Sequence, residues 1–298
     1  MSGRFFLPRH GPLRFAVQVQ ALRDDFAVAE VCRRLLEEQV PGAVEIGAVY
    51  LFCADATWTG ERAGADDRAS VERAAATVRA EHPSATLIVE TFPIAPHRAG
   101  AARRIEVETN VRNAALARIR TDGWTDVLIV DTDEIWRRGT LRALAELLLR
   151  PRWRRLQSVW THLVPVLGQP GYPVEGATDK AYIYVRADGA FRWGRIPRGK
   201  TAQLPGWNLW HFTGTRTGVA ELAAKARRSG HYDDADYNYE RWLREVMPAI
   251  RPGATDVHMY RDAAVWPRVR AWRRSDLADI PSRLHAMLGP EREPEPAP

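Results

Sequence analysis

Three carboxylates follow a short apolar run near the middle of the chain. Residues 126–130 read Asp-Val-Leu-Ile-Val, which predicts a strand buried on both faces of a parallel sheet. This run leads directly into Asp131, Thr132, Asp133 and Glu134. Ionised carboxylates at the end of a core strand repel one another and lose hydration, and a cation would remove both costs. The alternative is a solvated acidic turn that ends the strand.

The spacing of the two aspartates favours one hard cation. Asp131 and Asp133 are two residues apart, so on an extended chain both side chains would point to the same side. Both could then bind one divalent cation through oxygen, either directly or through water. In open α/β sheets ligands bind beyond the carboxyl ends of the strands, where these acids would lie.

The elements that would position the acids alternate regularly along the first 135 residues. Apolar runs predict strands at residues 13–20, 44–53, 85–92 and 126–130. Apolar residues at helical spacing predict helices at about residues 24–39, 66–81 and 103–120. This order predicts an α/β fold with a mostly parallel, Rossmann-like central sheet flanked by helices.

The second half is less regular. Strands are expected at residues 155–167 and 181–186, and the Gly- and Pro-rich stretch 168–176 predicts a loop over a site. The basic, aromatic stretch 266–274 favours either a helix that packs its tryptophans on the sheet or a contact with an anionic membrane. Helices, including a C-terminal extension, are expected at residues 140–149, 218–229 with Thr217 as N-cap, 234–246 and 281–288.

Length and composition favour one domain. The chain has 298 residues, of which 45% are hydrophobic, so we expect a single domain over residues 1–288. Its nucleotide-binding half would span about residues 13–135 and its acceptor half about residues 136–288. The tail, residues 289–298, is rich in Pro and Glu and is expected to be disordered.

Net charge, cysteine content and the search for targeting segments indicate the kind of ligand and the cellular location to expect. The net charge of +6 favours anionic ligands such as nucleotide phosphates, and no segment resembles a nucleic-acid-binding module. Cys32 and Cys53 suggest neither a disulfide framework nor a zinc site. The sequence shows no signal peptide and no apolar run long enough to span a bilayer, which predicts a soluble cytoplasmic protein. Peripheral membrane contact and oligomeric state stay open.

Two sets of motifs resemble known enzymes. The Arg112-Asn113-x-x-Leu116 helix ahead of the acids resembles nucleotide-sugar glycosyltransferases of the GT-A fold, in particular the large family 2. The Asp-x-Asp-Glu-Ile run at residues 131–135 resembles family 17, the N-acetylglucosaminyltransferases that make bisecting branches. Further along, Trp210-His211-Phe212 followed by Lys225, Ser229 and His231 is also similar to family 17.

The resemblance implies a nucleoside diphosphate sugar, most simply a UDP-sugar, as the donor. A divalent cation, Mn²⁺ or Mg²⁺, would neutralise the leaving diphosphate. Asp131 and Asp133 would hold that cation, and His211 would complete its ligand shell. The alternative for His211 is a histidine packed among aromatic residues beside Trp210.

Other residues would bind the donor by the same resemblance. Arg112 would reach the diphosphate or the base, and Asp55, at the end of the second strand, would contact the nucleoside. Lys225 and His231 would grip phosphate as a closing lid. The alternatives are a salt bridge to a helix neighbour for Arg112, a turn for Asp55 and a solvated helix face for Lys225 and His231.

An inverting transfer to a hydroxyl acceptor needs a carboxylate base. Glu175 and Asp179 lie in the loop-rich stretch after the acids, and Glu134 is a third candidate. Trp193 and Trp207 could stack on sugar faces, although tryptophans more often pack in a core. The acceptor, whether a glycan, a lipid or a small natural product, stays open.

Three rival functions share parts of this pattern. A nucleotidyltransferase of related fold would show a Gly-rich loop after the first strand, but residues 18–23 contain no glycine. A non-catalytic carbohydrate- or membrane-binding relative would not need the acids or His211. A two-metal phosphoesterase would need more clustered His and Asp than the chain supplies.

Overall fold

One mixed β-sheet forms the centre of the protein. The computed structural model describes residues 11–21, 27–58, 60–153, 155–216, 218–228, 239–258 and 265–290. Ten strands of these ranges form the central sheet, and β9 and β10 form a separate hairpin. The strands are β1 (Leu13–Ala21), β2 (Val44–Ala54), β3 (Leu87–Phe92), β4 (Asp126–Asp131), β5 (Glu134–Trp136), β6 (Ser158–Leu167), β7 (Tyr172–Glu175), β8 (Lys180–Arg186), β9 (Phe191–Trp193), β10 (Ile196–Pro197), β11 (Thr201–Gly214) and β12 (Arg268–Val269).

Helices cover the sheet. The α-helices are α1 (Val28–Glu37), α2 (Ala65–Glu81), α3 (Ala95–Arg98), α4 (Arg104–Thr121), α5 (Thr140–Leu149), α6 (Val219–Arg228), α7 (Tyr239–Arg241) and α8 (Arg274–Asp279). Shorter 3₁₀ turns lie at Pro151–Trp153, Met247–Ala249 and Ser282–Met287, and a π-helical turn lies at Trp242–Val246. Among the residues that the structure describes, no helix combines the length and the apolar character that crossing a bilayer would require.

Four parallel strands carry the first half. They lie in the order β3-β2-β1-β4, which confirms the predicted α/β fold. Both faces of this sheet are buried: Val17 and Val130 belong to the larger core cluster on one face. On the other face Ala16 and Ile129 pack with residues of α4. Strands covered on both sides read as continuous apolar runs, which is why their sequence predicts them well.

The strand order reverses at β1, which is where α/β sheets are expected to form a ligand crevice. β2 and β3 lie on one side of β1, and the chain then crosses to the other side to form β4. In α/β sheets the carboxyl ends of the two strands beside such a reversal border the ligand site. Gln20 near the end of β1 pairs in register with Asp131 at the end of β4. The acids therefore border this crevice.

The second half of the sheet is mixed. β8 lies between β4 and β6 and runs antiparallel to both. β11 runs parallel to β6 and antiparallel to β5. The sequence did not indicate β11, because Pro205 and Gly206 interrupt its pattern. The structure accommodates them in a register shift, with Gly206 at a φ of 93°.

The prediction of a loop over residues 168–176 is partly wrong. β7 lies inside this stretch and pairs with β6 and β12. Gly168 and Gly176, both at positive φ, stand on either side of the strand, and Tyr172 and Val174 are buried between them. Gly and Pro here mark the ends of a short strand.

The prediction of a helix over residues 266–274 is also wrong. This segment contains β12, an edge strand paired with β7, and ends at the start of α8. Trp266 and Trp272 are buried, at 4% and 1% exposure, so neither ring is available for a membrane surface.

Some predictions fall outside the described residues: Thr217 as a cap, His231, residues 234–238 of a helix, and most of the tail. α3 forms within the segment between the third strand and α4, where no helix was predicted. The short helix expected at residues 281–288 is present as a 3₁₀ helix, Ser282–Met287.

Candidate active site

The acids lie at a turn between two strands. β4 ends at Asp131, residues 132–133 form the turn, and β5 begins at Glu134. Glu134 lies opposite His211 on β11, and the Phe212 N–H donates to the Asp133 carbonyl at 2.8 Å. The chain is therefore not extended between the two aspartates, and their carboxylates contact different partners.

Two arginines hold Asp131. Arg112 Nη2 donates to its Oδ1 at 2.9 Å, and Arg195 Nη1 donates to its Oδ2 at 3.1 Å. Burial alone would raise the pKa of Asp131, but the charges of Arg112 and Arg195 outweigh burial and lower it. Asp131 is thus an ionised carboxylate at the crevice, with 29% of its side-chain surface exposed.

Glu134 is more deeply enclosed. Its side chain is 2% exposed, and both of its oxygens accept from Arg195 Nη1, at 2.6 and 2.7 Å. The backbone N–H of Asp131 donates to Glu134 Oε2 at 3.1 Å. Burial raises the pKa of Glu134 despite the nearby charge of Arg195. These contacts give Glu134 a role in positioning Arg195 and the turn and leave little surface for an acceptor.

Helix α4 places Arg195 over the acids. Asn113 clasps the β9–β10 hairpin by accepting from the Phe191 N–H at 2.7 Å and donating to the Phe191 carbonyl at 3.1 Å. The Gly194 N–H donates to Thr109 Oγ1 at 2.6 Å. Arg195, at the hairpin turn, also donates to backbone carbonyls of β8 and β4. The Arg-Asn pair of α4 therefore supplies one cation and anchors a second.

Arg112 forms the salt bridge to a helix neighbour that was its alternative, and its contact with a diphosphate or base stays a prediction. Its Nε donates to Glu108, one helical turn earlier, at 2.9 Å, while its Nη2 reaches Asp131. Burial alone would lower the pKa of Arg112, but the charges of Asp131 and Glu108 raise it. The helix-neighbour salt bridge thus aims a fixed guanidinium at the end of β4.

Asp133 faces a different set of cations. Lys225 of α6 forms an ion pair with its Oδ2, Arg216 Nη2 lies 3.5 Å from that oxygen and His211 Nε2 lies 3.6 Å from it. Burial alone would raise the pKa of Asp133, but the charges of Lys225 and His211 hold it well below its usual range. His211 lies beside Asp133, as the ligand hypothesis requires.

A network of buried hydrogen bonds holds β11 in place. Trp210 Nε1 donates to Asp279 Oδ2 at 2.8 Å, and Arg34 Nη1 donates to Asp279 Oδ1 at 2.9 Å. These bonds tie α8 and α1 to the strand that carries His211. Trp210 is fully buried, whereas His211 beside it keeps 23% of its side-chain surface exposed and lies next to Asp133.

The other predicted donor residues are placed less tightly. Asp55 follows β2 in an exposed position, and its Oδ1 accepts from the Ile94 N–H at 2.8 Å. This bond matches the turn-forming alternative and leaves the nucleoside contact a prediction. Lys225 contacts the acids as described, and His231 lies outside the described residues.

The two remaining base candidates have different surroundings. Glu175 is exposed and pairs with Arg273 at 3.3 Å, beside β12. Asp179 is half-buried and accepts from Trp266 Nε1. Burial raises the pKa of Asp179 despite the hydrogen bond from Trp266. Asp179 directly precedes β8, and β8 runs antiparallel to β4, so Asp179 lies toward the edge of the sheet where β4 ends. A carboxylate with a raised pKa is the better proton acceptor.

Two buried glutamines on β1 were missed by sequence reasoning. Gln18 and Gln20 are buried on β1, at 0% and 8% exposure, and none of their side-chain nitrogens or oxygens has a partner within the described ranges. They share a face of β1 with Ala16, which packs against α4. Arg112 Nη1 is similarly unpartnered. Two amides in an apolar strand were a readable signal, whereas nothing local singled out Arg195 or Arg216.

A divalent cation does not fit this arrangement of side chains. Within the described part of the chain, no three His, Cys, Asp or Glu side chains are grouped so that they could hold a metal. Both oxygens of Asp131 accept from arginines, and Asp133 Oδ2 carries Lys225. A hard cation needs several oxygen ligands, and it would be repelled by the cations already present. The metal role of Asp131, Asp133 and His211 stays a prediction.

Comparison with known proteins gives distant structural likenesses. No family model matches the chain, and no curated protein matches it. The fold is similar to that of a mannosyltransferase from Pyrobaculum calidifontis in complex with GDP-Man and Mn²⁺, with 16% identity and a TM-score of 0.42 over 74% of this chain and 63% of that one. It is also similar to mouse xyloside xylosyltransferase 1 in its apo form, with 13% identity and a TM-score of 0.27 over 54% and 55%. The chain spans less than two thirds of either, and likeness at these scores carries no conclusion about activity.

Proposed function

We propose that this protein is a glycosyltransferase that moves a sugar from a nucleoside diphosphate sugar to a hydroxyl acceptor. The observation that carries the proposal is the convergence of Arg112, Arg195, Arg216 and Lys225 beyond the carboxyl ends of parallel strands. Guanidinium groups match the oxygens of a diphosphate in bidentate fashion. As the glycosidic bond breaks, negative charge gathers on the leaving diphosphate, and preorganised cations stabilise that charge.

The crevice between β1 and β4 would take the nucleoside. Gln20 offers one amide donor and one acceptor there, which suits the imide edge of a pyrimidine such as uracil. Asp55, beyond the end of β2, would accept from a ribose hydroxyl. We therefore propose a UDP-sugar as the first donor to test.

Trp207 is the better of the two proposed sugar platforms. Its side chain is 44% exposed, and Nε1 donates to the Ala177 carbonyl at 2.8 Å, which fixes the ring. The His162 ring lies 5.8 Å away. Trp193, in contrast, has the Arg103 guanidinium 4.2 Å above its ring. The indole is fixed and exposed, and it is bonded to Ala177, two residues before Asp179, so it suits the apolar face of an acceptor sugar.

Asp179 would act as the base of an inverting transfer. The acceptor hydroxyl oxygen forms a bond to the anomeric carbon while the bond from that carbon to the diphosphate oxygen breaks. The hydroxyl proton passes to Asp179, and the diphosphate leaves with the electron pair toward the arginines. The reaction therefore needs only the donor, the acceptor and the carboxylate of Asp179.

The proposal is tested first with Asp179→Asn. We expect release of nucleoside diphosphate from the donor, with water or sugar as the acceptor, to fall about 10²- to 10⁴-fold. Nucleotide affinity should stay unchanged, since Asp179 does not contact the diphosphate cations. Glu175→Gln is the matched control and should leave the rate unchanged. A large loss in Glu175→Gln with full activity in Asp179→Asn would assign the base to Glu175.

The pH dependence gives a second readout for the same residue. Trp266 donates to the ionised form of Asp179 and so lowers its pKa against the effect of burial. Trp266→Phe should raise that pKa, so the acid limb of the kcat/KM profile should move to higher pH. If the acid limb of the kcat/KM profile does not move, the ionisation of Asp179 does not determine that limb.

The product identifies the reaction class. A glycosyltransferase releases a nucleoside diphosphate, whereas a nucleotidyltransferase releases pyrophosphate from a nucleoside triphosphate. Binding without release of either product from any donor would favour the non-catalytic binding protein.

A further inference from the structure

Lys225 stands at the place where a metal would be expected. Its Nζ pairs with Asp133 Oδ2 and also donates to the Thr213 carbonyl at 3.1 Å. Arg216 and His211 face the same carboxylate oxygen from 3.5 and 3.6 Å. Asp133 Oδ2 thus lies within 4 Å of an ammonium, a guanidinium and an imidazole group.

We propose that the ammonium of Lys225 takes the part of a divalent cation, so that this protein binds the donor diphosphate without a metal. This inference rests on the proposed function and concerns how its donor site is neutralised. The acids of the Asp-Thr-Asp-Glu stretch would then serve to position the protein's own cations.

The charges of the cluster are already balanced. Among the described side chains that contact one another here, four are carboxylates and four are Arg or Lys cations. The carboxylates are those of Glu108, Asp131, Asp133 and Glu134. The cations are Arg112, Arg195, Arg216 and Lys225. A divalent ion at Asp133 Oδ2 would have to displace Lys225 from that oxygen.

Lysine suits this role better than the arginines around it. Its ammonium is a compact point charge on a flexible stem, whereas a guanidinium is planar and fixed by its fork of donors. Lys225 keeps 28% of its side-chain surface exposed, while Arg216 keeps 1%. Lys225 can therefore move from Asp133 to a phosphate oxygen, while Arg216 and His211 stay to compensate the aspartate.

The first experiment measures nucleoside diphosphate binding by calorimetry. UDP, GDP, TDP and CDP are titrated into the 298-residue protein in EDTA and, separately, in Mn²⁺. We expect the preferred diphosphate to bind in EDTA with an affinity within about twofold of that in Mn²⁺. Lys225→Met should weaken binding in EDTA about 10- to 100-fold, the effect of losing one charge-assisted hydrogen bond.

Lys200→Met is the matched control. The chain has three lysines, Lys180, Lys200 and Lys225, and Lys200 lies before β11, whose first residue pairs with the amino end of β6. That is the edge of the sheet opposite the acids. Its removal changes the net charge equally and should leave binding unchanged.

The second experiment measures the metal directly. Mn²⁺ added to the wild-type protein without nucleotide should keep the electron paramagnetic resonance signal of the free ion. Stoichiometric loss of that signal, abolished by Asp133→Asn, would overturn the proposal, as would diphosphate binding that disappears in EDTA and returns with Mn²⁺. The proposed function fails differently, through the absence of any diphosphate binding in either buffer.

Discussion

Two clusters of charged side chains flank the turn at residues 132–133, and they differ in how firmly each is held. The first, the arginine cluster, comprises Glu108, Arg112, Asp131, Glu134 and Arg195. Its guanidinium groups each contact two carboxylates, and Arg195 also contacts backbone carbonyls. This cluster is part of the fold as much as of the site.

The second, the lysine cluster, comprises Asp133, His211, Arg216 and Lys225. Arg216 is buried, but Lys225 extends from α6 with a partly exposed side chain. One motif of acids can therefore combine a permanent structural contact with an exchangeable one. A ligand would displace the lysine at far lower cost than either arginine.

The largest expected effect is on the arginine cluster. Arg195→Met leaves the carboxylate of Glu134 buried without its main partner. We therefore expect the free energy of unfolding, measured by urea denaturation, to fall by about 3–5 kcal/mol. The double variant Arg195→Met/Glu134→Gln should recover part of this loss, since residue 134 then carries no charge that needs a partner. Arg186→Met breaks an exposed pair with Asp188 and should cost at most about 1 kcal/mol. Equal losses in Arg195→Met and Arg186→Met would contradict the comparison.

An intermediate effect is expected for Arg112→Lys. The variant keeps the charge but cannot bridge Glu108 and Asp131, so one charge-assisted hydrogen bond is lost. The free energy of unfolding should fall by about 1.5–3 kcal/mol, measured by urea denaturation. Diphosphate affinity should fall as well. An unchanged stability would mean that the fork geometry of Arg112 is dispensable.

The smallest effect is expected for Lys225→Met. Asp133 keeps Arg216 and His211, so the free energy of unfolding at pH 7 should fall by less than about 1 kcal/mol. The pH dependence has a definite sign: the depressed pKa of Asp133 stabilises the protein above the unfolded-state value near 3.8, and this contribution is lost on acidification. The difference between wild type and variant should therefore shrink below about pH 4. A difference that grows there would contradict this account.

Much of the first half could be predicted, because buried parallel strands have a strong pattern. The strand before Asp131 and the helix at residues 140–149 lie where the sequence placed them. The second half was harder, since Pro205 and Gly206 conceal the longest strand and glycines frame β7. These elements depend on pairing with distant strands, which local periodicity does not encode.

The site was only partly predictable for a similar reason. The acids, Arg112 and Lys225 were recognised from motifs, but the contacts of the acids were not. Arg195 reaches Glu134 across 61 residues of sequence, and nothing distinguishes it locally from the other arginines. The turn after Asp131 also separates two carboxylates that an extended chain would have kept together.

The continuity of β11 has a further consequence. Trp207 and His211 are four residues apart on this strand, a span of at most roughly 13 Å. The strand thus fixes the distance between Trp207, the proposed acceptor platform, and His211 beside Asp133. Inserting one residue between them would turn the indole to the opposite face of the sheet, since side chains alternate along a strand. Under the proposed function, acceptor choice and contact with the leaving group would therefore change together.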